Sequence, residues 1–234
     1  MTLIGGHSSE GTDLALGLSV TGEIAPGRAI RKGGLNAGDA LILTRPLGTG
    51  ILFAAAMRAR AKAPWIEAAL REMRRSNREA ALCLAAHGAT AMTDVTGFGL
   101  IGHLGEMLAA SGTNVTVDLP LVPLYAGALA LARAGIASTL LAENLSLAGL
   151  LCGDVDAAVR VILFDPQTSG GLLAGIPAGR AEACVHQLRN EGYASAAIIG
   201  RVTESGLDPR STRITIADAN LALQTVKGGR TSAF

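Results

Sequence analysis

The segment Thr93-Asp94-Val95-Thr96-Gly97-Phe98-Gly99-Leu100 sets a carboxylate at the end of a short apolar run, ahead of a glycine turn and a helical pattern. Carboxylate oxygens bind hard cations such as Mg²⁺. Glycines let a backbone approach a phosphate closely, and the free N–H groups at a helix start favour anions. The segment therefore holds the parts of a metal–nucleotide site, with Asp94 as the candidate metal ligand. Aspartate before glycine also commonly closes a turn on its own backbone, and residue types alone leave both readings open.

Three more glycine elements accompany it. Phe164-Asp165-Pro166-Gln167-Thr168-Ser169-Gly170-Gly171-Leu172-Leu173 repeats the carboxylate-then-glycine theme, although Asp-Pro is itself a turn starter. Gly48-Thr49-Gly50 precedes a helical run, where it either cradles an anion or simply begins the helix. Gly5-Gly6-His7-Ser8 offers backbone N–H groups and a hydroxyl, and a lone His7 there is more often a satisfied loop residue than a ligand. None has Walker A or Rossmann spacing. Arg71, Arg74, Arg75 and Arg78 fall at helical spacing near Glu67 and Glu79, which favours a solvated, ion-paired face.

The elements that must position these residues alternate between strand and helix. Asp13 to Thr21 has strand composition, and a glycine- and charge-rich connector from Pro26 to Asp39 separates it from an apolar strand at Ala40 to Thr44. Helices are expected from Ile51 to about Arg60, from Pro64 to about Arg75, and from Ser76, as cap, to His87-Gly88. A buried strand at Ala91 to Asp94 leads into a helix marked by Leu100, Ile101, Leu104, Met107 and Leu108 and stopped at Ser111-Gly112. A strand at Asn114 to Leu119 and a helix from Pro123 to about Ala134 come next, and Leu140 to Gly153 is partly helical. Ala158 to Phe164 and Gly171 to Ile176 read as strands, followed by a helix at Ala178 to Glu191 and a closing strand at Ala196 to Val202. This order gives an α/β (α+β) fold, a layered mixed sheet with flanking helices. Lys227 to Phe234 reads as a frayed tail.

Composition narrows the function classes. With 49% hydrophobic and 17% charged residues, 234 residues suffice for a large core. A formal net charge of +1 and only one Trp, two Tyr and four Phe give no support to nucleic-acid binding. Cys83, Cys152 and Cys184 form no CxxC pair, so neither a zinc knuckle nor a disulfide framework is indicated, and Cys83 reads as a buried thiol. No apolar run has the length of a membrane span and the N-terminus lacks signal-peptide character, so a cytoplasmic location is the default expectation.

Taken together and in this order, Gly5-Gly6-His7-Ser8, Leu43-Thr44-Arg45-Pro46-Leu47-Gly48-Thr49-Gly50, Ser76-Asn77-Arg78-Glu79-Ala80-Ala81, TDVTGFGLIGHLGEM and LFDPQTSGGLL make a chain that resembles the selenophosphate synthetases (selenide, water dikinases). These belong to the aminoimidazole ribonucleotide synthetase-like superfamily. The resemblance runs from about residue 3 to 204. It implies an enzyme that converts ATP, selenide and water to selenophosphate, AMP and orthophosphate, working as a homodimer with Mg²⁺ ions around ATP. It also implies that Asp94 is a metal ligand, that Gly5, Gly6, His7 and Ser8 touch nucleotide bound by the other subunit, and that Asp165 to Gly171 belong to the active-site architecture.

By the same resemblance, residues 1–36 are a remnant of the N-terminal ATP-binding domain, 37–210 the C-terminal synthetase domain, and 211–234 a tail. The family's reactive Cys or selenocysteine, its essential Lys and its other metal-binding aspartates lie before the Gly-Gly-His loop, where this sequence begins. None of Cys83, Cys152 or Cys184 matches that nucleophile, neither Lys32 nor Lys62 matches that lysine, and Arg45 stands where Lys is expected. The expectation is a C-terminal portion, inactive alone, with the missing N-terminal portion as possible partner. The alternative is a non-catalytic Mg-nucleotide-binding or dimerisation module.

Overall fold

The computed structural model describes residues 2, 4–13, 15–204 and 213–217. Among these, seven strands form one mixed sheet in the order β2-β5-β1-β6-β3-β7-β4. The strands are β1 (Ala40–Leu43), β2 (Ala91–Asp94), β3 (Asn114–Asp118), β4 (Leu151–Cys152), β5 (Leu172–Ile176), β6 (Ala197–Thr203) and β7 (Ile214–Ala217). The helices are α1 (Thr49–Met57), α2 (Ala63–Met73), α3 (Arg78–Ala86), α4 (Gly99–Ser111), α5 (Ala128–Arg133), α6 (Leu141–Asn144), α7 (Ala157–Leu163) and α8 (Ala178–Asn190).

Strand alternation sends successive side chains to opposite faces, and here both faces are covered. Leu41 and Leu43 of β1, with Leu173 of β5, join Leu52, Leu100, Leu104 and Ile162 in the larger core. Ala40 and Ile42, with Leu172, Ala174 and Ile176, join Leu84, Cys184 and Leu188 in the smaller one. Helices α1, α4, α5 and α7 thus back one face, and α3 and α8 the other. This is the expected layered mixed sheet with flanking helices.

Several local expectations change. Ala158 to Phe164, read as a strand from its Val and Ile content, is helix α7. Asp156 caps it by accepting from the N–H groups of Ala158 (2.9 Å) and Val159 (3.3 Å), and Ala158, Val159, Ile162 and Leu163 form its buried stripe. Asp13 to Thr21 forms no strand among its described residues; Leu14 lies outside them. A strand buries its alternating side chains against a neighbouring strand, and here Leu16, Leu18 and Val20 are exposed and pair with no strand among the described residues. The fold does not close at Val202: Ile214–Ala217, within the stretch read as a tail, pairs in parallel with β3 and β4. Lys227 to Phe234 lies outside the described residues. Finally, α2 ends at Met73 and α3 starts at Arg78, so the four arginines do not share one helical face.

Candidate functional site

Antiparallel pairing brings three segments to one end of the sheet. Asp94, the last residue of β2, is opposite Leu172, the first of β5, and Leu43, the last of β1, is opposite Leu173. The chain therefore leaves β1, leaves β2 and enters β5 side by side. Residues 44–50, 94–99 and 164–171, spread through the sequence, become one cluster.

Hydrogen bonds lock the cluster. Val95 N–H donates to the Gly171 carbonyl (2.8 Å) and Gln167 N–H to the Thr96 carbonyl (2.9 Å). Asn144 Nδ2 donates to the carbonyls of Gly97 (2.8 Å) and Phe164 (2.9 Å), tying both glycine segments to α6. The fit depends on missing side chains. A Cβ at Gly170 would collide with the Val95 carbonyl oxygen, and one at Gly99 (φ +67°) would lie 2.8 Å from the Phe164 carbonyl carbon.

Asp165 is buried here. Its Oδ2 accepts from Ile51 N–H (3.2 Å) and from Gln167 Nε2 (3.1 Å), while Oδ1 has no hydrogen-bond partner among the described residues. Gln167 Oε1 accepts from Gly48 N–H (3.0 Å), Thr49 N–H (3.2 Å) and Thr49 Oγ1 (3.2 Å). The chain thus fills the N-terminus of α1 with its own acceptors. Of the two readings of Gly48-Thr49-Gly50, helix start rather than anion cradle is the one realised. Burial pushes the Asp165 carboxyl up to about 7, against the lowering effect of the donors from Ile51 and Gln167.

Arg45 is also buried, at 1% exposure; it forms no salt bridge among the described residues, though the Glu72 carboxylate bears on it electrostatically. Its Nη1 donates to the Ser169 carbonyl (2.8 Å) and Nη2 to those of Arg75 and Ser76. Asn77 Nδ2 donates to the Gly170 carbonyl (3.0 Å). Ser169, held in the left-handed region at φ +49°, presents its carbonyl to Arg45 and donates from Oγ to the Met73 carbonyl (2.9 Å). A planar fork serves carbonyls on two segments at once, as an ammonium on a flexible stem does less well. Burial lowers the guanidinium pKa.

Asp94 contrasts with this interior. It is exposed at the end of β2, and its carboxylate has no hydrogen-bond or ion-pair partner among the described residues. His103, one turn into α4, stands behind it. His103 Nε2 lies 3.2 Å from Thr96 Oγ1, and Nδ1 lies 3.5 Å from Glu106 Oε2, which also accepts from Lys32 Nζ (2.9 Å). Burial lowers the His103 pKa, while Glu106 and then Asp94 work the other way. Sequence reasoning did not single out His103. The available signal was a polar residue inside the apolar stripe of α4, two positions after Ile101 and one before Leu104.

The structure joins Asp94, Thr96 and His103 to the Asp165–Gly171 segment, but it does not join Gly5, Gly6, His7 and Ser8 to them. That loop is exposed, and no hydrogen bond or ion pair among the described residues links it to the cluster. Gly5 instead lines a surface groove with Ile4, Leu18 and Val20.

Residues 36–209 match the family model described as AIR synthase related protein, C-terminal domain. The chain belongs to the AIR synthase related family. Within it, the chain is 42% identical over 212 residues to a protein named selenide, water dikinase from Pelobacter propionicus, covering 89% of this chain and 61% of that relative. The chain spans about three-fifths of the length of the curated relatives it matches. Among solved structures, the family fold recurs in hydrogenase maturation protein HypE, with a TM-score of 0.58 at 21% identity, over 89% of this chain and 59% of that one. A HypE structure in complex with ATP matches with a TM-score of 0.52 at 20% identity, over 79% and 48% of the two chains. No helix among the described residues is long and apolar enough to cross a membrane.

Proposed function

We propose that this chain serves as the C-terminal portion of a selenophosphate synthetase, a cytoplasmic phosphotransferase that makes selenophosphate, AMP and orthophosphate from ATP, selenide and water. The observation that carries the reading is the 42% identity to a selenide, water dikinase. The interlocked 44–50, 94–99 and 164–171 segments beside an unpartnered carboxylate support it. The reading divides the chain into 1–36, from the ATP-binding domain, the synthetase domain at 37–210, and the segment 211–234, of which Ile214–Ala217 joins the synthetase-domain sheet as β7.

Asp94 fits a hard cation because it is an exposed oxygen donor with no ion-pair partner among the described residues. Bound Mg²⁺ would neutralise phosphate charge and align the attacking and leaving oxygens. One carboxylate supplies at most two of about six oxygen ligands, so phosphate, water or further carboxylates must complete the shell. The protein's own part is positioning. The Val95–Gly171 and Gln167–Thr96 bonds fix the two residues that follow Asp94, and His103 Nε2 stands 3.2 Å from Thr96 Oγ1. Gly5, Gly6, His7 and Ser8 would present backbone N–H groups to nucleotide held by the second subunit of a homodimer. Exposed Ile4, Leu16, Leu18, Val20 and Ile24 favour such association.

The chain alone is expected not to complete the reaction. Cys83 and Cys184 are buried away from the cluster, Lys32 is paired with Glu106, and Lys62 Nζ sits 5.1 Å over the Trp65 ring. Selenophosphate formed by this chain from ATP and selenide would overturn that statement. Calorimetry with Mg²⁺ and ATP tests Asp94 separately: Asp94→Ala should weaken binding, and an unchanged isotherm would remove its assigned role. A clean monomer in sedimentation at high concentration would count against the homodimer.

A further inference from the structure

The smaller core holds a group of side chains that the proposed reaction does not use. Cys83 on α3 and Cys184 on α8 are far apart in sequence, yet both are buried where the two helices pack. His87, the residue that ends α3, stands one turn beyond Cys83 and is half-buried. Cys83 Sγ, Cys184 Sγ and a ring nitrogen of His87 all lie within 4.8 Å of one another. Cys83 Sγ is 3.8 Å from His87 Nδ1.

Those separations suit one chemistry. A tetrahedral ion with metal–sulfur bonds of about 2.3 Å and metal–nitrogen bonds of about 2.0 Å sets its ligand atoms roughly 3.5 to 3.8 Å apart. The Cys83–His87 edge already has that length, and rotamer adjustment of less than a bond length closes the others. Two sulfurs and one imidazole select borderline and soft cations over Mg²⁺ or Ca²⁺, which take oxygen. The surroundings are compatible with a cation. The Glu191 carboxylate bears electrostatically on both sulfurs, while the Arg180 guanidinium lies beside Gly88, the residue after His87.

His87 is also free to turn. Its Nδ1 is 2.9 Å from the Cys83 carbonyl oxygen, but that oxygen already accepts the His87 backbone N–H at 3.1 Å. Moving the ring nitrogen to a metal therefore leaves no carbonyl unpaired.

We propose that Cys83, His87 and Cys184 form a binding site for a d¹⁰ divalent cation of the zinc class, clasping α3 to α8 and leaving a fourth position for water. On loading, both thiols give up their protons to solvent, the imidazole proton resides on Nε2, and two thiolates and a neutral imidazole hold the dication without net charge. This site lies on the opposite face of the sheet from Asp94's neighbour His103 and is independent of the nucleotide reading.

The test is Zn²⁺ titration of the reduced full chain against a chromophoric chelator, with Co²⁺ substitution as the spectroscopic readout. One equivalent of Zn²⁺ per chain and a near-ultraviolet thiolate-to-cobalt charge-transfer band are expected. Cys184→Ser and His87→Gln should each weaken Zn²⁺ at least roughly tenfold, about one decade in affinity; the half-buried His87 position keeps the test available if the Cys184 variant misfolds. Cys152→Ser, outside the cluster, should bind as wild type does. Absence of stoichiometric Zn²⁺ uptake, or full affinity retained in both His87→Gln and Cys184→Ser, would overturn the site. A Cys83–Cys184 disulfide forming in place of metal uptake would overturn it as well.

Discussion

Asp94 and Asp165 each end an apolar stretch and precede glycines, and in sequence they look like two copies of one device. The fold gives them opposite environments. Asp94 terminates an edge strand, meets solvent and has no hydrogen-bond or ion-pair partner for its carboxylate among the described residues. Asp165 is drawn beneath the α1 N-terminus, where Ile51 N–H and Gln167 Nε2 donate to its Oδ2 and burial raises its pKa to about 7. Carboxylate-plus-glycine therefore specifies a tight backbone approach in both places. Whether the carboxylate acts outwardly or braces the fold depends on what the approach buries it against.

The sharpest way to break the braced half is Gly170→Ala. Its methyl would meet the Val95 carbonyl, backbone against backbone, with no flexible atom to yield. A loss of roughly 4 kcal/mol or outright misfolding is expected in urea titration. Arg45→Ala comes next. It strips donors from the Ser169, Arg75 and Ser76 carbonyls and should cost roughly 2–4 kcal/mol, with Arg45→Lys recovering only part of it.

Asp165→Asn separates charge from shape. The folded-state pKa lies above the ordinary 3.8, so the native state holds this proton more tightly than the unfolded chain does. Its contribution is fully present below pH about 3.8 and is lost as pH rises through about 7. The wild type should accordingly lose up to roughly 4 kcal/mol from this group between those limits, and Asp165→Asn should flatten that part of the urea-midpoint profile.

Asp94→Ala should be the mildest for stability, within about 0.5 kcal/mol, because nothing internal leans on the side chain. If it instead unfolded the protein as readily as Arg45→Ala, the contrast between the two aspartates would collapse.

Much of the framework was legible beforehand. The α4 stripe of Leu100, Ile101, Leu104, Met107 and Leu108 is buried as its spacing requires, and Pro64 sits in the first turn of α2. The apolar run Ala40 to Thr44 marked a strand, and all four residues of β1 within it are buried. The Ala158 to Phe164 stretch misled because β-branched composition resembles a buried strand, and the deciding Asp156 cap lies just outside it. At the site, Asp94 was visible from its neighbours in sequence; His103 was not, because its partners Thr96 and Glu106 meet it only on the folded helix.

The sequence by itself determined most of the element types, the family and the glycines without which the three segments could not touch, since these follow from local periodicity, motif order and the absence of a Cβ. Only the tertiary structure decided which carboxylate is buried, what Arg45 binds and that Cys83 and Cys184 meet. Each of those depends on antiparallel register and helix packing, which bring together residues separated by about a hundred positions. Desolvation and hydrogen-bond supply are properties of that assembled neighbourhood, and they set the chemistry of a side chain as much as its identity does.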